Sequence, residues 1–243
     1  MLSIIIPTLN EEKYLPRLLE SIKTQDLKDY EIIVADSNSI DKTIEIAKNY
    51  NCKITKGGMP GIARNEGAKI AQGELLLFLD ADLILPEGFL NKFLQKFEEK
   101  RLAIASTDLD FLTDNKIFKF GAHFTNILYK ATERFSPGIT ECILIKKDVH
   151  EKINGFDEKI VLLEDFDYIR RAVKIGKFEH FKDLKFYTSV RRLEKDGFVK
   201  TTLQYFFANI YMFLFGPIKT NIFDYKFGHY LDNGDSKHEE VKK

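Results

Sequence analysis

The sequence predicts an α/β fold, a mostly parallel sheet flanked by helices. Three observations carry that prediction. Short β-rich runs alternate with helix-patterned segments in the order β-α-β-α-β-α-β within roughly the first eighty residues. The strand-like runs end in polar residues, so polar loops gather at one edge. The apolar run Leu75 to Leu79 reads as a strand buried on both faces, and it leads directly into Asp80-Ala81-Asp82. Ligands of open α/β sheets collect beyond the carboxyl ends of the strands, so chemistry is expected at this edge.

Leu2 to Ile6 forms the first strand, closed by Pro7. Thr8 to Glu12 opens a helix in which Asn10 can cap and Leu15, Leu18, Leu19 and Ile22 make the apolar stripe. Glu31 to Ala35 is the second strand, followed by the polar run Asp36 to Asp41 and a helix over Thr43 to Tyr50. Cys52 to Lys56 is a third strand. The turn-rich Gly57 to Gly61 then precedes a helix over Ile62 to Gln72, which carries Arg64 and Asn65 early and stops at Gly73. Beyond Pro86, Glu87 to Glu99 is an amphipathic helix, Leu102 to Ser106 a strand, and the pattern from Asp108 onward is irregular. Asn115 to Phe135 reads as partly helical, Glu141 to Ile145 as a strand, Asp148 to Ile153 as a short helix and Leu163 to Ile175 as a longer one.

The last third has a different character. Positions 201–218 contain no charged residue, close to the lower limit for a membrane span, but Thr201, Thr202, Gln204 and Asn209 interrupt the run. From Lys185 to Lys226 there are seven Lys or Arg against three Asp or Glu. An aromatic helix with basic flanks suits the interface of an anionic membrane, a dimer partner or the protein's own core. The segment 231–243 is a polar tail.

With 243 residues, 44% hydrophobic and 30% charged, the chain has a globular composition. Its 37 basic and 37 acidic residues balance, without the basic excess that a nucleic-acid partner demands. Cys52 and Cys142 are too few and too far apart for a disulfide framework or zinc cluster. Met1 runs straight into the first strand with no basic, signal-like region, so a cytoplasmic location is expected.

Asp80 and Asp82 lie two apart in extended chain and point the same way, a spacing that can hold Mg²⁺ or Mn²⁺ alongside substrate phosphates. The same residues serve equally as a solvated strand end. Asp108-Leu109-Asp110 and Asp165-Phe166-Asp167 repeat the spacing, so spacing alone decides nothing.

Five motifs in order resemble the family 2 glycosyltransferases of GT-A fold: Pro7 to Glu11, Asp36 to Thr43, Ala63 to Ala68 leading into Phe78 to Asp82, Gly155 to Glu158, and Glu164-Asp165. The resemblance spans residues 2–192. It implies a Rossmann-like GT-A sheet whose donor half, 1–106, takes a nucleoside diphosphate sugar and whose acceptor half, 107–195, takes a glycan or lipid-linked acceptor. A helical segment over 196–230 completes the fold. By the same resemblance Pro7, Thr8, Glu11, Asp36, Arg64 and Asp80 serve the nucleotide. Asp80 and Asp82 hold the Mg²⁺ or Mn²⁺, Asp165 is the base of an inverting transfer, and Glu164 orients the acceptor. Arg191 and Arg192 resemble basic positions that some members place over the pyrophosphate, an anion that suits the guanidinium fork. Asp36-Ser37-Asn38-Ser39 departs from the family's usual Asp-Asp-Gly-Ser, which leaves the base open. A nucleotidyltransferase would need a glycine-rich basic loop after the first strand, whereas this loop is Pro7-Thr8-Leu9-Asn10-Glu11-Glu12. A non-catalytic nucleotide-sugar-binding module is the third reading.

Overall fold

A computed structural model describes residues 1–132, 141–225 and 228. The first half is built from β1 (Leu2–Thr8), α1 (Leu15–Lys23), β2 (Tyr30–Asp36), α2 (Thr43–Asn49), β3 (Lys53–Lys56), α3 (Pro60–Ile70) and β4 (Leu75–Leu79). A two-residue β5 (Leu83–Ile84), α4 (Phe89–Glu99), β6 (Ile104–Phe111) and α5 (Lys116–Thr132) follow. The remainder comprises β7 (Cys142–Lys146), α6 (Lys147–Lys152), α7 (Glu164–Ala172), β8 (Phe178–Thr188), α8 (Arg191–Asp196) and α9 (Phe198–Phe215). The predicted tail, 231–243, and the end of the helix predicted to Phe135 lie outside the described residues.

Among the described residues the strands make one sheet in the order β3-β2-β1-β4-β7-β6-β8-β5. The first four strands of that order are mutually parallel. Beyond β4 the sheet is mixed: β7 runs against both β4 and β6, β6 and β8 are parallel, and β5 runs against β8. The carboxyl ends of β1, β2, β4, β6 and β8 therefore share one edge with the amino end of β7. That edge collects polar residues from well-separated parts of the chain.

The alternation of side chains along the inner strands divides the core into two layers. Ile4, Ile6, Leu77 and Leu79 pack with Leu15, Leu18 and Leu19 of α1 and with Leu90, Phe93 and Phe97 of α4. On the other face, Ile5, Leu76 and Phe78 pack with Tyr168, Ile169 and Ala172 of α7. Gly67 is what lets α3 lie on this face, since a Cβ there would stand 2.4 Å from Cγ2 of Ile5.

Two local expectations change, and a third, a helical C-terminal segment, holds. Asn10 does not cap α1, which starts five residues later at Leu15. Asn10 instead adopts φ 54 and its Oδ1 accepts the backbone N–H of Ile40 at 2.8 Å, a bond between loops that local pattern cannot reveal. The chain from Asp108 does not turn irregular at once, because β6 continues to Phe111 with one register shift between Thr107 and Asp108. Asp108 is buried there and pairs with Nε2 of His180 at 2.7 Å. The uncharged C-terminal run forms α9, and among the described residues no helix is long and apolar enough to cross a membrane.

Candidate active site

The loop after β1 and the loop after β2 are tied to each other. Thr8 Oγ1 donates to Asp36 Oδ1 at 2.9 Å, and the backbone N–H and hydroxyl of Ser39 donate to the same carboxylate at 2.9 and 2.6 Å. Ser39 Oγ accepts the N–H of Asn10 at 2.8 Å, and Thr43 Oγ1 accepts that of Glu11 at 2.7 Å. Asp36, buried and accepting three hydrogen bonds, thus organises the pair of loops that flank Pro7.

The second group lies around the end of β4. Arg64, on the second turn of α3, is 5% exposed and bridges two acids, with Nη2 on Asp80 and Nη1 on Glu164, both at 2.7 Å. Its guanidinium lies 5.4 Å from the Phe156 ring. The turn that supplies Phe156 is held by Asn65, whose Nδ2 donates to Phe156 O at 2.9 Å and whose Oδ1 accepts Phe156 N–H at 2.9 Å. Gly155, at φ 65, is needed because a Cβ would stand 2.5 Å from Asn65 Oδ1. This turn leads to Leu163, at φ 64, and so into α7 with Glu164 and Asp165 at its start.

Arg191 enters by a different route. The antiparallel pairing of Leu83 with Thr188 draws the end of β8 beside Asp82. Arg191 then forks onto Glu11, Nη1 to Oε2 at 2.8 Å and Nη2 to Oε1 at 2.7 Å, while its Nε lies 3.1 Å from Asp82 Oδ2. Its guanidinium stacks 4.4 Å from the ring of Tyr14. Arg192 turns elsewhere: Nη1 donates to Tyr205 Oη at 2.6 Å, and the guanidinium lies 4.9 Å from the ring of Tyr225.

Glu141 was not foreseen as a site residue. It precedes β7, opposite Asp80, whose N–H donates to Glu141 O at 3.1 Å. Its Oε2 is buried and has no hydrogen-bond partner among the described residues. The available signal was an acidic residue directly before an apolar strand, a mirror image of the strand-then-acid pattern at Asp80. Reading it required knowing that β7 runs backwards.

These carboxylates strain against one another. Burial pushes Glu11 up to about 7, against the pull of Arg191. Burial, with the charges of Asp82 and Asp80 adding, raises Glu141 to about 8 against a hydrogen bond from Thr188. Asp82 is raised by burial despite Arg191. Burial and then the charge of Glu164 lift Asp165 to about 7, with Arg64 opposing. Glu11, Asp80, Asp82 and Glu141 form an acidic group that Arg64 and Arg191 balance only in part, so an added divalent cation suits it. Among the described residues no three ligand-type side chains form a ready-made metal cage. Two aspartates and a phosphate-bearing ligand match the way Mg²⁺ and Mn²⁺ are ordinarily bound, and the residues fit such an ion. A further concavity, lined by Leu2, Glu74, Phe97 and Arg101, opens at the opposite sheet edge and contains none of these groups.

A sheet edge that gathers carboxylates around the buried Arg64 and the half-buried Arg191 is suited to a phosphorylated ligand bound with a divalent cation. The chain belongs to glycosyl transferase family 2, whose family model matches residues 3–153. The poly(ribitol-phosphate) beta-N-acetylglucosaminyltransferase TarS of Staphylococcus aureus is 40% identical over 90 residues, 33% of this chain and 16% of that protein. A Methanococcus voltae relative is 27% identical over 233 residues, 84% of this chain and 71% of its own. It is named a dolichyl N-acetyl-alpha-D-glucosaminyl phosphate 3-beta-D-2,3-diacetamido-2,3-dideoxy-beta-D-glucuronosyltransferase. A mannosyltransferase from Pyrobaculum calidifontis, solved with GDP-Man and Mn²⁺, matches with a TM-score of 0.66 at 20% identity. That match covers 86% of this chain and 63% of the other, and it identifies the GT-A fold. The segment shared with TarS is a small part of that longer protein.

Proposed function

We propose that this chain is an inverting glycosyltransferase that moves a hexose-type sugar from a nucleoside diphosphate sugar to an acceptor hydroxyl, assisted by Mg²⁺ or Mn²⁺. The observation that carries the reading is the convergence of Asp80, Asp82 and Glu11 on Arg64 and Arg191 at the carboxyl edge of the sheet, with the buried Glu141 feeling the charges of both aspartates. Family membership and the donor and Mn²⁺ present in the Pyrobaculum calidifontis structure support it.

In this reading Pro7, Thr8 and Asp36 form the wall for the nucleoside. Arg64 and Arg191, pre-aligned by their carboxylate partners, face the diphosphate, where a fork of N–H donors matches paired phosphate oxygens. Asp80 and Asp82 would hold the cation, which when bound stabilises the charge of the departing nucleoside diphosphate. Asp165 takes the proton from the acceptor hydroxyl as its oxygen bonds to the anomeric carbon, on the face opposite the breaking bond to the diphosphate. A carboxyl raised to about 7 suits that task near neutral pH. Glu164, held at 2.7 Å by Arg64, positions the acceptor.

A thermal-shift panel of UDP and GDP sugars with and without Mn²⁺ tests the donor and the cation together. A ligand at about 100 times its Kd adds ~2.7 kcal/mol, a rise of roughly 5–10 °C for a domain of this size. Asp82→Ala should keep the fold and lose the Mn²⁺-dependent part of the shift together with donor turnover. Undiminished metal-dependent transfer by that variant would exclude the assignment. Release of pyrophosphate from a nucleoside triphosphate would instead identify a nucleotidyltransferase.

A further inference from the structure

Helix α9 is apolar on both sides, and only one side is used by the fold. Ala208 and Met212 are buried against Leu162, Leu163 and Phe166, the segment that leads into and begins α7. The other side carries Leu203, Phe206, Phe207, Phe213, Leu214 and Phe215, exposed at 49%, 52%, 54%, 71%, 62% and 72%. A helix that is hydrophobic all round belongs inside a protein or against a lipid phase. Exposed apolar surface of this extent marks a contact site.

The patch continues onto a second element. Phe118 of α5 packs on Phe198 of α9 with ring centroids 5.7 Å apart, and Gly121 leaves room for that ring. The start of α5 adds Ile117 and Phe120, 65% and 69% exposed. Charged residues flank the patch without interrupting it: Lys116 and Lys119 on α5 with Asp114 beside them, Lys195 between Glu194 and Asp196 before α9, Lys200 at its start, and Lys219, paired with Asp157 at 2.8 Å, just after it. Positions 201–218 themselves carry no charge.

We propose that α9 and the start of α5 seat this protein on the surface of an anionic lipid bilayer, with the aromatic side in the acyl boundary and the flanking lysines among the headgroups. The charge pattern selects this occupant over a second copy of the chain. From Lys185 to Lys226 bases outnumber acids seven to three, a net excess that anionic headgroups complement and that a two-fold contact would set against its twin. The helix is ~27 Å long and carries Thr201, Gln204 and Asn209, so it lies in the interface and does not cross. Its inner side supports the start of α7, within about one helix diameter, ~10 Å, of Glu164 and Asp165. Resting on the proposed transferase reading, this geometry brings the acceptor end of the site to the headgroup level and points to a lipid-anchored acceptor.

Flotation of the full chain with vesicles tests the proposal. The protein should float with phosphatidylcholine–phosphatidylglycerol vesicles, and less with phosphatidylcholine alone or in high salt. Removing two large apolar side chains from the lipid-facing side, Phe213→Ser with Leu214→Ser, should lower the partition coefficient at least about a hundredfold. Lys200→Gln should lower it about fivefold on anionic vesicles only. The donor-dependent thermal shift of these variants should stay that of the parent, since none of the three residues touches the site. Failure of the parent to float with anionic vesicles overturns the proposal, as does equal flotation by the double variant. So does a parent dimer in sedimentation equilibrium that the double variant turns into a monomer. Flotation without any donor response would refute the transferase reading and leave the membrane seat standing.

Discussion

Replacing Asp165 with Asn separates two roles for this carboxylate by the sign of the effect. Burial and the charge of Glu164 lift the group from its ordinary 3.8 to about 7. A carboxyl held above its unfolded value keeps its proton more tightly when folded. Folding therefore takes up a proton between about pH 4 and 7, and stability falls as pH rises through that window. The rise corresponds to a ceiling of about 4 kcal/mol above pH 7. Asp165 is partly exposed, and solvent screening reduces the expected value to ~1–2 kcal/mol. Asp165→Asn carries no such cost, so it should be more stable than the parent by that amount at pH 8 and by clearly less at pH 5. An aspartate present only to favour the positive end of α7 predicts the reverse, a loss of about 0.3–1 kcal/mol at pH 8. Urea midpoints at the two pH values decide between them. In the transfer assay kcat/KM of the parent should rise with pH to a plateau above about 7, and the variant should lose roughly 10²–10⁴-fold. A variant less stable at pH 8, or one within about tenfold of parental activity, refutes the assignment of Asp165 as base.

Arg64→Gln should destabilise the fold by ~3–5 kcal/mol, because it strands Asp80 and Glu164 beside a buried position. Arg64→Lys should recover only part, since one ammonium cannot span both acids, and urea denaturation of the three proteins checks the order. Gly67→Ala adds a Cβ 2.4 Å from Ile5 Cγ2 at the contact between α3 and β1. Overpacking of about 1–3 kcal/mol should outweigh the ~1 kcal/mol gained in helix propensity, which a lowered denaturant midpoint would register.

The donor half was legible because its information is local. Each strand of β1, β2 and β4 is a short apolar run with a polar terminus, and a parallel βαβ succession leaves those termini on one edge with little freedom. Asp36, Arg64, Asp80 and Asp82 could therefore be grouped before any distance was known. The rest of the site depends on pairings between distant segments. Glu141 joins the acids only because β7 reverses direction beside β4, and an antiparallel insertion leaves no mark on the apolar run Cys142–Lys146. Arg191 reaches Asp82 and Glu11 through β5, a strand of two residues too short to carry any periodicity. Adjacent in sequence, Arg191 and Arg192 part at the start of α8, where one enters the carboxylate cluster and the other meets Tyr205 and Tyr225 beside α9. Arg192 thus links the helix proposed to rest on the bilayer to the residue proposed to grip the diphosphate. A change in how α9 is seated would reach Arg191 through a single peptide bond, so vesicle binding and donor affinity should be coupled in the parent protein.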